Sequence, residues 1–335
     1  MTCSFSKKNQ NHPPIFFDNV MLADVVNHKH LGLTFSHDLT WTSHIEQILK
    51  SVASMANVLK RLKYETDRKS LETSYFSFIR PKLEYASHIW DNCSKHNSAL
   101  LESFQLDVAR TVTGARKGTG HELLYNETGW PKLSERRAAN KLKNLIKIAN
   151  NETPVYLQNL LPPKIGDIRP MSRYADNYQL CNCRTQTFKN SFVPSAVKMW
   201  NDLPLHCRSK EYAAEISKSS GNPLFYEGHR NVNVRHAQLR MQCSKLNSHL
   251  FQLHVTESPA CTCGAESEDI SHFFLHCPLW TQQRQKLLQS LRPYINIDKK
   301  IDVNTLLYGN DALDAKPNKL IFNMVHTFIS ETDRL

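Results

Sequence analysis

The sequence predicts a mainly α-helical protein with a few short strands at its N-terminus, a Pro-rich linker and a small Cys/His module near its C-terminus. Three observations point there. From residue 43 onward, apolar residues recur at a helical period in one segment after another. Over residues 151–170 that texture is broken by Pro154, Pro162, Pro163, Gly166 and Pro170. Further on, Cys261, Cys263, His272 and Cys277 bring four soft metal ligands together within 17 residues. Four regions follow: 1–42 with the short strands, 43–150 as a helical domain, 151–228 as the linker region, and 229–335 as a helix leading into the Cys/His module.

Short apolar runs at Ile15-Phe16-Phe17, Val25-Val26 and Leu31-Gly32-Leu33-Thr34-Phe35 alternate with turn residues, which suits two or three strands. Ser43 and Glu46 then make a capping box for a helix to about residue 63, whose stripe includes Ile45, Ile48, Val52, Ala56 and Leu59. A second helix starts near Asp67, carries Leu71, Tyr75, Phe78 and Ile79, and is broken or kinked by Pro81. Others are expected over 98–113, stopped by Gly114, and over 121–127, closed by Gly129. Ser134 can cap the next, which runs to about residue 150 with Leu142, Leu145 and Ile146 on its inner stripe. Beyond the linker, helices are read at 191–203, 231–251, around 287–291 and at 319–332.

At 335 residues the chain is long enough for two or three domains. A hydrophobic content of 40% excludes a wholly disordered protein, and a net charge of +11 favours a polyanionic partner such as nucleic acid. Nine cysteines, an odd number, and no apolar leader place it in an intracellular, reducing compartment, with nucleus or cytoplasm left open because its basic residues are dispersed. No apolar run approaches the roughly 18 residues of a membrane span. The N-terminus, with Lys7, Lys8, Pro13 and Pro14, reads as the interior of a longer chain.

Four thiolate and imidazole ligands at this spacing are those of a closed tetrahedral zinc site, structural rather than catalytic because no position is left open. His276 rivals His272 as the nitrogen ligand; His272 is preferred because His276 adjoins Cys277. Cys181 and Cys183 repeat the Cys-x-Cys spacing with no second pair nearby, and read as unliganded. On the 134–150 helix, Arg136, Arg137, Lys141, Lys143 and Lys147 either track phosphates or form a solvated face; Arg230, Arg235 and Arg240 make a second basic array. Trp41, Trp90, Trp130, Trp200 and Trp280 read as core and interface anchors rather than base-stacking groups. No phosphate loop, dinucleotide fingerprint, HExxH or GxSxG occurs, so the residues offer no catalytic constellation and no small-molecule substrate.

The order of several short motifs adds to this. His30-Leu31-Gly32-Leu33, Trp41-x-x-His44-Ile45, Ile79-Arg80-Pro81-x-Leu83-Glu84-Tyr85 with Trp90-Asp91, and Leu133-x-x-Arg136-Arg137 are followed by Ser191-Phe192-x-Pro194-Ser195, Trp200-Asn201-x-Leu203-Pro204 and the Cys/His module with Pro278. The series resembles the region after the polymerase palm in non-LTR (LINE-type) retrotransposon reverse transcriptases, over nearly the whole chain. The resemblance implies a palm end in 1–42 with a primer-grip-like turn near 31–35, a thumb-like helical domain in 43–150, a linker, and a zinc knuckle. It implies RNA or DNA as partner, as template–primer or element RNA. The family's paired palm aspartates are absent, so the expectation is a non-catalytic, nucleic-acid-binding fragment; a non-functional truncated product and a domesticated zinc-dependent protein-interaction module are the alternatives.

Overall fold

The computed structural model describes residues 13–295 and 301–335; it is mainly helical, with two short antiparallel hairpins near the N-terminus, as the sequence predicts. Most of the N-terminal stretch read above as chain interior, residues 1–12, lies outside the described residues.

β1 (Phe16–Phe17) pairs with β2 (Val20–Met21), and β3 (Asn27–His30) with β4 (Leu33–Ser36). Each hairpin turns on two residues at positive φ: Asp18 (49°) with Asn19 (60°), and Leu31 (45°) with Gly32 (82°). Such turns match the twist of the paired strands and suit Asn, Asp and Gly. Leu31 departs from that preference, and its carbonyl is held by the Tyr85 hydroxyl, which donates at 3.1 Å. The same ring would lie 3.0 Å from a Cβ on Gly32.

α1 (Thr42–Leu62) buries Ile45, Ile48, Val52, Ala56 and Leu59 along the expected stripe. α2 (Arg68–Ser74) is capped by Asp67, whose carboxylate accepts from the Ser70 N–H at 3.0 Å. It then widens into a π turn, Tyr75–Ile79, before α3 (Arg80–Glu84). Pro81 therefore opens a helix rather than ending one, since a first turn has no intrahelical bond for its missing N–H to lose. The π turn also shifts the stripe, which leaves Phe78 exposed although the α period places it inside.

α4 (Ser87–Trp90), α5 (Lys95–Thr113) and α6 (His121–Thr128) follow, with Gly129 ending α6 in the left-handed region. α7 (Leu133–Ala149) begins one residue before the expected Ser134 cap. Carboxylates take its first N–H groups instead: Glu135 accepts from Lys132 and Glu102 from Leu133, each at 3.1 Å. Residues 151–228 carry α8 (Val155–Gln158), α9 (Ile165–Ile168), α10 (Gln186–Asn190), α11 (Phe192–Asp202) and α12 (Lys210–Ile216). The single helix expected over 231–251 is two, α13 (Arg230–Arg240) and α14 (Asn247–Gln252), parted at Gln242, whose φ is 54°. α15 (Thr281–Leu291), α16 (Val303–Tyr308) and α17 (Ala315–Thr332) complete the order.

The chain forms two units, each discontinuous in sequence. The first comprises residues to 54, 78–105 and 131–218. Its core joins Leu142, Leu145 and Ile146 of α7 to Ala196, Val197 and Trp200 of α11, Ala213 of α12 and Tyr178. Residues 178–213, within the region read as a linker, thus supply core side chains. The Trp200 indole donates to the Asp176 carbonyl at 3.1 Å, and the Asn201 side chain bridges the Tyr178 N–H and carbonyl at 2.9 and 2.8 Å.

The second unit comprises 55–77, 106–130 and 219–335. Leu239, Phe273, Phe274, Leu291, Ile321 and Phe328 lie in one of its apolar clusters. It also buries a charged group: Glu127 of α6 accepts two hydrogen bonds from Arg240 of α13 at 2.8 Å and one from Arg68 of α2 at 2.5 Å. Burial works against that carboxylate's charge, but Arg240 and Arg68 outweigh it and hold the group below its usual range.

Beside this triad, His236 Nδ1 lies 3.0 Å from His326 Nε2, and His236 Nε2 lies 3.1 Å from the Leu306 carbonyl. A carbonyl only accepts, so His236 carries its proton on Nε2 and takes a hydrogen bond from His326 at Nδ1. Burial, then the charge of Arg240, lowers both rings, His326 to about 4. As pH falls through the ordinary imidazole value near 6.5, the unfolded chain takes up protons that the folded one refuses. Stability is expected to be full above about pH 6.5 and to decline toward about pH 4, with a shallower decline in His326→Gln, as urea melts across that window would read. Midpoints that do not move, or an identical slope in the variant, would refute this role for the pair.

Candidate metal centre

Cys261 and Cys263 stand on a tight loop, where the Cys261 N–H donates to the Ala265 carbonyl at 2.9 Å and the Gly264 N–H to the Cys261 carbonyl at 3.0 Å. Gly264 has φ 96°, so a side chain there is strained even though space around it is open. Facing the loop is a π turn, His272–His276, closed by the Cys277 N–H donating to the His272 carbonyl at 2.7 Å. That bond decides which histidine faces the thiols. An α turn brings residues four apart onto one face and would align His272 with His276; a π turn aligns residues five apart, so His272 and Cys277 share a side. His276 is exposed and lies outside the cluster, so the structure gathers His272 rather than His276 with the three thiols.

The ligand atoms of Cys261, Cys263, His272 and Cys277 all lie within 4.8 Å of one another. Cys261 Sγ is 3.8 Å from Cys277 Sγ, and Cys263 Sγ is 3.3 Å from His272 Nε2. A tetrahedral ion with metal–sulfur bonds of about 2.3 Å sets sulfurs roughly 3.8 Å apart, so the donors fit a zinc-sized ion. Burial, then the crowding by Cys261 and Cys263, pushes the Cys277 thiol up to about 12, whereas a backbone hydrogen bond from Ala265 lowers Cys263. A divalent cation supplies the positive charge that lets three crowded thiols ionise together. The cluster can therefore hold a metal ion such as zinc. Between the ligands, Phe273 and Phe274 turn the other way and are fully buried, with ring centroids 5.3 and 5.4 Å from Phe328. Cys181 and Cys183 join no third ligand among the described residues.

Most of the basic residues marked by the sequence have partners within the fold. Arg136 pairs with Glu84 (Nη2 to Oε2, 2.9 Å), Arg137 with Asp91 at 3.1 Å and Ser98 at 2.6 Å, Lys141 with Asp91 at 2.5 Å, and Lys143 with Ser217 at 2.9 Å. Lys147 is exposed. On α13, Arg240 belongs to the Glu127 triad, and Arg230 is buried on the carbonyls of Lys63 (2.9 Å), Thr111 (3.1 Å) and Val112 (2.6 Å). Arg235 pairs with exposed Asp333 at 3.1 Å. To reach Arg136, Arg137, Lys141, Arg230 or Arg240, a phosphate would have to displace a carboxylate or carbonyl already bonded there. The helical wheel shows which residues leave the apolar stripe but cannot show acidic partners far away in sequence.

Sequence reasoning missed a different cationic place. In the first unit a cavity of about 220 Å³ is lined by Lys29, Gly32, His44, Lys82 and Tyr85, among others. The Thr34 N–H donates to His44 Nδ1 at 3.4 Å, so the ring proton sits on Nε2, which is buried and meets no partner. Burial, then the charge of Lys29, keeps this ring below its ordinary pKa. Trp41-x-x-His44 is visible as a motif, but nothing in the sequence says that Lys29 and Lys82 converge on it.

Comparison with known proteins adds kinship to this geometry. The chain is similar to a retrotransposon polyprotein. The relative is the Retrovirus-related Pol polyprotein from type-1 retrotransposable element R1 4 of Nasonia vitripennis, 21% identical over 273 residues. The aligned part covers 78% of this chain and 62% of that polyprotein's length. No family model and no solved structure matches the chain. This Pol-related chain uses much of its motif series to hold its own fold. Arg136 and Arg137 pair with Glu84 and Asp91, and Trp200 and Asn201 fasten the segment at Asp176 and Tyr178. Among the described residues, no helix is long and apolar enough to cross a membrane.

Proposed function

We propose that this chain is a nucleic-acid-binding part of a retrotransposon Pol protein that does not itself polymerise, with zinc as a structural ion in residues 261–277. The kinship to a Pol polyprotein and the net charge of +11 support a polyanionic partner. The observation that carries the reading is the cavity at the β3–β4 turn, where Lys29 and Lys82 bring ammonium donors and positive charge to one recess. Such a set suits a phosphodiester group, whose oxygens only accept. The absence of paired palm aspartates from the motif series supports a binding rather than a polymerising role.

Filter binding of RNA and DNA over a salt series tests this. Replacing Lys29 and Lys82 by Gln should weaken binding and lower the slope of log K against log salt by about 0.7–0.9, for the one phosphate that is no longer neutralised. Arg137→Gln should instead lower the melting temperature and leave the slope in place, because that guanidinium is held by Asp91. Undetectable binding of either polymer at low salt would overturn the proposal. Unaided primer extension by the purified chain would overturn its non-catalytic half.

A further inference from the structure

We infer that Glu268 and Arg334 are positioning residues for the metal: an ion pair, its carboxylate buried and its guanidinium partly exposed, that fixes both arms of the Cys/His module and thereby sets how tightly an ion is held. The inference rests on the metal reading of residues 261–277. Glu268 lies between the two ligand pairs in sequence, and its residue is 2% exposed. Its carboxylate accepts from Arg334 Nε at 2.7 Å and Nη2 at 2.5 Å, and from the Asn247 N–H at 2.9 Å. Asn247 closes the triangle, its Oδ1 accepting from Arg334 at 3.1 Å and its Nδ2 donating to the Ala260 carbonyl at 2.6 Å.

The backbone repeats the same connection. The Glu268 N–H donates to the Pro259 carbonyl at 2.8 Å, and the Glu268 carbonyl accepts from the Ser248 hydroxyl at 2.8 Å. Residue 268, four before His272, is therefore fastened to the start of α14 and to Arg334, two beyond α17, while residue 260, next to Cys261, is fastened to the start of α14 through Asn247. Such a pair contributes little net stability, because desolvation of the carboxylate and solvent at the guanidinium both offset the attraction. What the planar guanidinium fork contributes is direction: it permits few orientations of the carboxylate and so few separations of the loop arms. With the arms held, the ligand atoms stay near the spacing an ion needs, and binding no longer bears the cost of ordering them. By linkage, a bound ion stabilises the Glu268–Arg334 pair in return.

Titration of the full chain with Co²⁺, followed by thiolate-to-cobalt absorption and by competition with Zn²⁺, tests the inference. Glu268→Gln removes the charge but keeps the shape, and Arg334→Lys keeps the charge but loses the fork. Each is expected to weaken Co²⁺ binding about 10–100-fold while the absorption bands keep their wavelengths, since the four ligands are unchanged. Should Glu268→Gln fail to fold, Arg334→Lys carries the measurement. Dissociation constants within about twofold of wild type, together with a lowered melting temperature of the metal-free protein, would overturn the positioning role and leave a merely structural pair. A wild-type chain with no thiolate–cobalt band would instead overturn the metal reading itself.

Discussion

Removing the metal with a strong chelator is expected to release residues 261–277 and to loosen the apolar cluster of the second unit. The reason is local. The loop carrying Cys261 and Cys263 has few apolar side chains of its own, and its partner turn is a π turn, whose bonds are a poorer fit than those of an α helix. An ion bridging loop and turn supplies on the order of 10 kcal/mol toward their folding. Phe273 and Phe274 stand on the same turn and pack on Phe328, so losing the turn exposes both rings. The measurement is a pair of thermal melts with and without chelator, alongside zinc analysis of the untreated protein. Cys277→Ser should reproduce the chelator's effect. Superimposable melts, with no zinc in well-folded protein, would remove the metal from the account.

The second large effect is expected from Glu127→Ala. That substitution leaves the guanidinium groups of Arg68 and Arg240 in a place where their side chains are only 1% and 2% exposed, with no carboxylate between them. Breaking a buried pair from one side typically costs about 3–5 kcal/mol, far more than the pair's net contribution, because an unpaired charge remains in a dry site. Urea unfolding should show that loss, and adding Arg240→Met to Glu127→Ala should recover part of it. A loss below about 1 kcal/mol would mean that water reaches the guanidiniums freely, as at a surface pair.

Much of the helical architecture is legible in the sequence, because helical spacing is a local property. The stripe Ile45, Ile48, Val52, Ala56 and Leu59 is buried as its period requires, and the ends at Gly129 and Asp67 follow from backbone and side-chain chemistry within one turn. The metal ligands are legible for the same reason, since four soft ligands in a short segment need only a loop and a turn. The sequence predicts a break or kink at Pro81; the interruption is a π turn, Tyr75–Ile79, which no local period announces, and Pro81 stands in the first turn after it. The Pro-rich stretch looks alike whether its prolines interrupt a tether or flank short helices, and only the packing of Trp200 and Ala196 on α7 separates the cases.

The sequence by itself determined that this chain is mostly helical, basic, and provided with a Cys/His cluster of zinc-like spacing, all consequences of neighbours within a few residues. The tertiary structure alone decided which charges are available. Arg137 and Arg240 meet Asp91 and Glu127 from distant parts of the chain, while Lys29 and Lys82 converge on His44 without a carboxylate among the residues named there. Charge is a property of a residue, but whether it is answered inside the fold or faces outward depends on partners brought close only when the chain has folded.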